Sequence, residues 1–179
     1  MHRLPERPLA RTLTLIGFMG IGKTTVGEEL AGRLDRRPKD SDALVEAQSN
    51  RTIRELFDWF GEPHFRELER GVIATLAHDS STVLSVGGGA FMDAATRRLL
   101  LENCTVIYLA APWSYVQASI WRLKNTRPLL RERSEAEIEA LFHERHLVYD
   151  QAHVRVSVPR RAPAQVAGRI LALLGAGAA

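Results

Sequence analysis

The residues of this chain best suited to chemistry form a glycine-rich segment that ends in a lysine and two threonines. Segment 17–25 reads GFMGIGKTT, and it lies between a β-branched apolar run at 12–16 and a stretch at 24–34 whose apolar residues have helical spacing. Glycines there let backbone N–H groups approach phosphate oxygens at the start of a helix. Lys23 supplies a charge to the β- and γ-phosphates, and the Thr24 hydroxyl can ligate Mg²⁺. The motif predicts a nucleoside triphosphate site, with contacts from Gly20, Ile21, Gly22, Lys23, Thr24 and Thr25.

Two aspartates, Asp40 and Asp42, follow and are separated by one residue. If the chain is extended there, both side chains point the same way and can serve one site. An acidic pair in this position can equally cap the helix that follows it. From the residues alone, both interpretations stay open.

Two arginines lie on predicted helices. Arg145 falls among the apolar residues of a helix that a capping box at 134–137 opens. An arginine on a buried face requires an anion, either a ligand or a structural Asp or Glu. Arg66 lies on a helix predicted over 62–76, where an ion pair with Glu62 on the helix surface is the alternative to ligand binding.

Three consecutive glycines, Gly87, Gly88 and Gly89, follow the end of a strand predicted at 83–86. Such a run allows a ligand to come close to backbone N–H groups. A flexible turn without ligand contacts is the alternative.

Short apolar runs alternate with helical patterns along the chain. Strands are predicted at 12–16, 83–86, 105–109 and 154–158, and helices at 24–34, 53–57, 62–76, 93–101, 112–122, 134–151 and 165–174. This alternation predicts an α/β fold with a parallel sheet and helices on both faces. No segment rich in Gly or Ser divides the chain, so we expect one domain over 12–175 after an unpaired lead-in at 1–11.

The composition excludes several classes of protein. The 179 residues are 45% hydrophobic and 25% charged, as in globular proteins. The net charge of +3 comes without a dense basic stripe, so we expect no nucleic-acid partner. No apolar run approaches 18 residues and the N-terminus has no signal-peptide core, so we expect no membrane partner and a cytoplasmic location. The single cysteine, Cys104, fits a reducing compartment, and we expect a monomer.

The segments quoted above resemble one enzyme family when they are taken together. GFMGIGKT, DSD at 40–42, GEPHFRELE at 61–69, GGG at 87–89 and RPLL at 127–130 occur in the order and approximate spacing of shikimate kinases. The resemblance covers nearly the whole chain. It implies a P-loop kinase fold similar to that of nucleoside monophosphate kinases, and phosphorylation of the 3-hydroxyl of shikimate by ATP and Mg²⁺ in chorismate and aromatic amino acid biosynthesis.

The resemblance also implies the roles of the acceptor-site residues. Asp42 binds the acceptor hydroxyls and accepts the proton, while Asp40 lies nearer the metal together with Thr24. Arg66 and Arg145 clamp the shikimate carboxylate. The remaining substrate contacts implied are the triple glycine, Gly87 to Gly89, and two apolar walls, Phe57 and Phe65, for which ordinary core packing is the alternative. Pro38 departs from the family, which usually has an aromatic residue at this position.

A lid over about 123–133 is implied as well. Within it, Arg127 would reach the transferring phosphate as a catalytic residue once the lid closes and excludes water. Arg122 and Arg161 are the candidates for contact with adenine, and for both a solvated surface arginine is the alternative.

Three rival functions are consistent with parts of the pattern. The nearest is another small-molecule P-loop kinase, such as a gluconate kinase, although the DSD and GGG segments argue against it. A non-catalytic relative that binds a partner is opposed by the complete set of matched catalytic positions. A nucleic-acid-dependent NTPase is opposed by the lack of a basic stripe.

Overall fold

A computed structural model describes residues 2–118, 120–121, 124, 130, 132–158 and 162–175 of the chain. In this part of the chain the strands are β1 (Thr12–Ile16), β2 (Arg37–Asp40), β3 (Thr82–Ser85), β4 (Cys104–Ala110) and β5 (Val154–Ser157). The helices are α1 (Lys23–Leu34), α2 (Ser41–Ser49), α3 (Ile53–Leu76), α4 (Ala94–Asn103), α5 (Trp113–Gln117), α6 (Glu135–Tyr149) and α7 (Pro163–Leu173).

The five strands form one parallel sheet in the order β2-β3-β1-β4-β5. β1 lies at its centre and is buried along its whole length, as its β-branched, apolar sequence predicts. The loop after β1 therefore leaves the middle of the sheet at its carboxyl edge, where parallel α/β folds bind ligands.

Alternate residues of the strands belong to two separate hydrophobic cores. Leu13 and Leu15 pack with α1 and α7 on one face, whereas Val106 and Tyr108 pack with α4 and the C-terminal part of α3 on the other. Because side chains alternate between the faces of a strand, this partition places helices on both sides of the sheet. The predicted architecture is confirmed.

The strand β2 differs from the sequence-based expectation. Its residues, Arg37 to Asp40, are not apolar, and no strand was predicted there. β2 pairs with β3 at the edge of the sheet, where Pro38 lies opposite Val83. An edge strand needs hydrogen bonds on one side only, and it tolerates both proline and charged residues.

Two further local expectations can be compared with the structure. The separate helices predicted at 53–57 and 62–76 are joined in α3, but Gly61 interrupts it with non-helical backbone at φ 80°. The N-terminal segment 1–11, expected to be unpaired, forms hydrogen bonds with the rest of the molecule. The carbonyl of Pro8 accepts a 2.7 Å hydrogen bond from Thr105, and the carbonyl of Arg11 accepts one of 2.9 Å from Arg36.

None of the helices in the described part of the chain combines the length and apolar composition that crossing a bilayer requires.

Candidate active site

The glycine-rich loop connects β1 to α1 and surrounds a cavity at the carboxyl edge of the sheet. Gly17 has φ 149°, and a Cβ there would lie 2.7 Å from the carbonyl oxygen of Leu109. Gly22 takes φ 92° as the N-cap of α1, and no side chain caps this helix. The first N–H groups of α1 are thus left to an anion, and both their partial charges and the helix dipole favour phosphate.

Lys23 reaches back across the loop from the first turn of α1. Its Nζ donates to the carbonyl oxygens of Gly17 at 2.9 Å and Phe18 at 3.2 Å. These bonds hold the ammonium group at the cavity beside the glycine-rich loop, and Lys23 is part of the cavity lining. The full lining is Met19, Gly20, Gly22, Lys23, Thr24, Thr25, Asp40, Asp42, Val86, Gly87 and Gly88.

Asp40 links the end of β2 to the start of α1. One carboxylate oxygen accepts a 2.8 Å hydrogen bond from the Thr24 hydroxyl, while the other accepts from the backbone N–H groups of Asp42 and Ala43. Asp40 is thus the N-cap of α2, as the capping interpretation predicted, and at the same time it lies against the phosphate cavity. The extended conformation considered for 40–42 ends at Asp40, because α2 begins at Ser41, yet Asp40 and Asp42 both line this cavity.

The oxygens of Thr24 and Asp40 suit Mg²⁺. In proteins this ion is bound by one or two carboxylate or hydroxyl groups, by phosphate oxygens and by water, not by a cage of protein ligands. Over the described residues no cluster of three or more His, Cys, Asp or Glu side chains is placed to hold a metal. The two hydrogen-bonded side chains therefore fit a shared site in which the nucleotide would supply most of the ligands.

A second cavity lies next to the first and shares a wall with it. Its lining is Met19, Asp42, Ile53, Phe57, Phe65, Arg66, Gly87, Gly88, Gly89 and Arg145. Four of these residues, Met19, Asp42, Gly87 and Gly88, line the phosphate cavity as well. A group bound in the second cavity therefore faces the phosphate cavity across the Asp42 carboxylate.

The second cavity combines aromatic walls with two cations. The rings of Phe57 and Phe65 lie 5.1 Å apart between centroids, and both line the cavity in addition to packing against their neighbours. Arg66 donates to Glu62 at 2.8 Å and to Glu69 at 2.6 Å. The ion pair with Glu62 that the sequence offered as an alternative is therefore formed, and Arg66 lines the cavity as well.

Arg145 presents a buried cation to this cavity. Its side chain projects from α6 and is only 4% exposed, and its guanidinium lies over the ring of Phe18 at 5.9 Å. Nε and Nη1 are buried without a hydrogen-bond acceptor among the described residues. Because buried guanidinium N–H groups need acceptors, this arrangement fits an anionic ligand in the second cavity.

The triple glycine lines the cavities next to charged side chains of α2, α3 and α6. The N–H of Gly87 donates to the Ser41 hydroxyl at 2.9 Å. A Cβ at Gly87 would lie 2.6 Å from Oδ1 of Asp42, and one at Gly89 would overlap the Arg66 guanidinium. A side chain at Gly87 or Gly89 would therefore displace a charged group of the site.

Comparison with known proteins assigns the family. The family model for shikimate kinase matches residues 19–175. A shikimate kinase of Bacillus subtilis is 38% identical over 93% of this chain and 90% of its own length, and one of Cereibacter sphaeroides is 42% identical over 90% and 81%. The chain belongs to the shikimate kinase family.

Solved structures agree with this assignment. A shikimate kinase from Acinetobacter baumannii in complex with shikimate superposes with a TM-score of 0.87 at 35% identity, covering 94% of this chain and 95% of that one. A gluconokinase from Sinorhizobium meliloti reaches a TM-score of 0.62 at 16% identity, which is a likeness of fold alone. The shikimate kinase family is therefore favoured over the gluconate kinase alternative in both sequence and structure.

Most residues predicted for the shikimate kinase site line one of the two cavities. Ile21 is an exception, since its side chain is buried in the hydrophobic core and only its backbone remains for the nucleotide. Arg122, Arg127 and Arg161, together with most of the segment 123–133, lie outside the described residues.

Glu69 is a site residue that the sequence analysis missed. It is 1% exposed, and burial raises the pKa of its carboxyl group, while Arg66 acts in the opposite direction. One of its oxygens, Oε1, is buried without a hydrogen-bond partner in the described part of the chain. A sequence signal existed, because Glu69 occupies the same helical stripe as Phe65 and Val72, where an acid needs a cation.

Proposed function

We propose that this member of the shikimate kinase family transfers the γ-phosphoryl group of ATP to the 3-hydroxyl of shikimate within a single domain over 12–175. The observation that supports this transfer most strongly is the wall shared by the two cavities. The first has the lysine, hydroxyl and helix start of a phosphate site, and the second holds a buried arginine with unpaired N–H groups. The product enters chorismate and aromatic amino acid biosynthesis.

In the phosphate cavity the loop acts by position and charge. Backbone N–H groups at the start of α1 cradle the phosphates, and Lys23 balances the charge that spreads over the γ-phosphoryl oxygens in the transition state. Thr24 and Asp40 would hold Mg²⁺, which would supply positive charge to the phosphate oxygens during transfer. Arg127, from the lid at about 123–133, is proposed to add a further positive charge.

In the second cavity the chain recognises a small hydroxylated acid. Arg145 and Arg66 bind the carboxylate, and the rings of Phe57 and Phe65 contact the carbon skeleton. When the carboxylate is bound in this way, the hydroxyls on the opposite side of the substrate ring lie near Asp42. The arrangement orients one hydroxyl toward the γ-phosphorus.

Asp42 lies where the proton must be removed. As the bond between the acceptor oxygen and phosphorus forms, the bond between phosphorus and the β-phosphate oxygen breaks and ADP leaves. The Asp42 carboxylate orients the hydroxyl and accepts its proton. Both proposed substrates are small and soluble, and the cytoplasmic location and the monomeric state stay predictions.

The two arginines provide the test of acceptor recognition. Arg145→Ala and Arg66→Ala are expected to raise KM for shikimate by about 10- to 100-fold each, the equivalent of one charge-assisted hydrogen bond. KM for ATP should change by less than about twofold, because neither arginine lines the phosphate cavity. Steady-state kinetics with each substrate varied in turn measures both constants.

Arg54→Ala serves as the control for Arg66→Ala. Arg54 also lies on α3 and pairs with an acid four residues away, Asp58 at 3.6 Å, but it is exposed and does not line either cavity. It should leave both KM values near wild type. A lower melting temperature with an unchanged KM for shikimate in either test variant would show that its arginine has only a structural ion-pairing role.

A further inference from the structure

Tyr149 lines neither cavity, but it contacts Gly88, which lines both. It ends α6, is 1% exposed, and packs its ring against Tyr108 and Phe91 at 5.2 and 6.4 Å between centroids. Its hydroxyl donates a hydrogen bond to the carbonyl oxygen of Gly88. Burial raises the pKa of Tyr149 to about 12, while the charge of Arg145 opposes the rise, so the phenol keeps its proton at neutral pH.

The bond to Gly88 fixes a peptide plane. The carbonyl of Gly88 and the N–H of Gly89 belong to the same planar unit, and in a trans peptide they point in opposite directions. Holding the carbonyl toward α6 therefore directs the N–H of Gly89 away from α6. Gly89 lines the second cavity, and among the described residues its N–H has no protein acceptor. Glycines can rotate this plane easily, so an external restraint has a large effect.

The same hydroxyl faces Arg145. A Cβ on Gly88 would lie 3.0 Å from Nη1 of Arg145 and 3.5 Å from Oη of Tyr149, so the two polar groups converge on one backbone position. The single proton of the phenol goes to Gly88, while Nη1 of Arg145 beside it has no acceptor among the described residues and is available to a ligand. Arg145 and Tyr149 are four residues apart on α6 and thus lie on one face of it.

We propose that Tyr149 is a positioning residue for acceptor recognition. Its hydroxyl holds the peptide between Gly88 and Gly89, which lies beside the guanidinium of Arg145, in the orientation that receives the acceptor. The ligand chemistry is that of a carboxylate flanked by ring hydroxyls, so the inference rests on the proposed function. Without the hydroxyl, the glycine segment would need to be ordered by the acceptor itself, at the expense of affinity.

Tyr149→Phe and Tyr108→Phe make a matched pair for the test. Both tyrosines are 1% exposed, and the hydroxyl of Tyr108 lies 2.7 Å from Nδ1 of His146, away from both cavities. Each variant loses one buried hydroxyl and keeps its ring. Tyr149→Phe should raise KM for shikimate about tenfold, with kcat and KM for ATP changed by less than about threefold. Tyr108→Phe should leave KM for shikimate within about twofold of wild type.

Equal changes in KM for both variants, or an unchanged KM in Tyr149→Phe, would overturn the positioning role. If Tyr149→Phe does not fold, Gly88→Ala replaces it, because its methyl group would meet Arg145 and Tyr149 and should raise KM for shikimate in the same way. A wild-type KM in a folded Gly88→Ala protein would also contradict the proposal.

A measurement on the free protein separates this inference from the proposed function. Glycine-selective ¹⁵N labelling reports the amide of Gly89 without any substrate. Tyr149→Phe should shift or broaden that resonance, and Tyr108→Phe should leave it in place. An unchanged Gly89 resonance in Tyr149→Phe overturns the inference whatever the enzyme phosphorylates, whereas a wild-type protein inactive toward shikimate contradicts the proposed function.

Discussion

Lys23→Ala is expected to lower kcat by about 10²- to 10³-fold or more, the range for loss of one electrostatic group that acts in the transition state. Nζ of Lys23 is held beside the phosphate cavity by two carbonyls of its own loop. Alanine keeps the helix start but removes the lysine that lines the cavity. The transferring phosphoryl group then loses a charge that backbone N–H groups cannot replace.

Lys39→Ala is the control for this substitution. Lys39 lies on the edge strand β2 and does not line the phosphate cavity. Its removal should leave kcat within about threefold of wild type, and circular dichroism should show both variants folded. Activity of Lys23→Ala within tenfold of wild type would contradict the assignment of the phosphate site.

Asp42→Asn is expected to lower kcat by about 10²-fold or more, the usual range for a positioned base. The amide retains the size of the carboxylate and can still meet a hydroxyl, but it cannot take the proton. Its effect on KM for shikimate should be smaller than that of the arginine variants, because Arg66 and Arg145 still bind the carboxylate. Kinetics at saturating ATP over a range of shikimate concentrations gives both parameters.

The alternative role of Asp42 as a helix-capping acid predicts a different outcome. The N-cap of α2 is Asp40, and Asp42 lies in the first turn, where its charge favours the helix by about 0.3–1 kcal/mol. Glu135→Gln, in the first turn of α6, removes a comparable charge from a residue that lines neither cavity and serves as the control. A wild-type kcat for Asp42→Asn would indicate that only the helical role exists.

The elements with strong local signals could be predicted from the sequence. The capping boxes at Thr52 and Ser134 open α3 and α6 as expected, because the side-chain and backbone partners are three residues apart in sequence. The loop at 17–24 was equally predictable, since one local motif contains every group that it needs. The edge strand β2 was not, because its only strong restraint is its pairing with β3.

The parts of the site that escaped prediction depend on distant contacts. The dual role of Asp40 requires α1 and β2 to be adjacent, so that Thr24 lies 2.8 Å from it. The position of Glu69 beside Arg66 could have been read from helical spacing, but its approach to the triple glycine could not. The bond from Tyr149 to Gly88 joins residues 61 positions apart. Such pairs are set by the packing of helices on the sheet.

The choice of phosphoryl acceptor tests the proposed function most directly. Purified protein with Mg·ATP is given shikimate, gluconate, AMP or no acceptor, and the release of ADP is measured in each case. The proposed function predicts rapid release of ADP with shikimate and a rate near the acceptor-free background with gluconate and AMP. The product should show coupling in its NMR spectrum between phosphorus and the proton on carbon 3. Faster release with gluconate or AMP than with shikimate, or no stimulation by any acceptor, would contradict it.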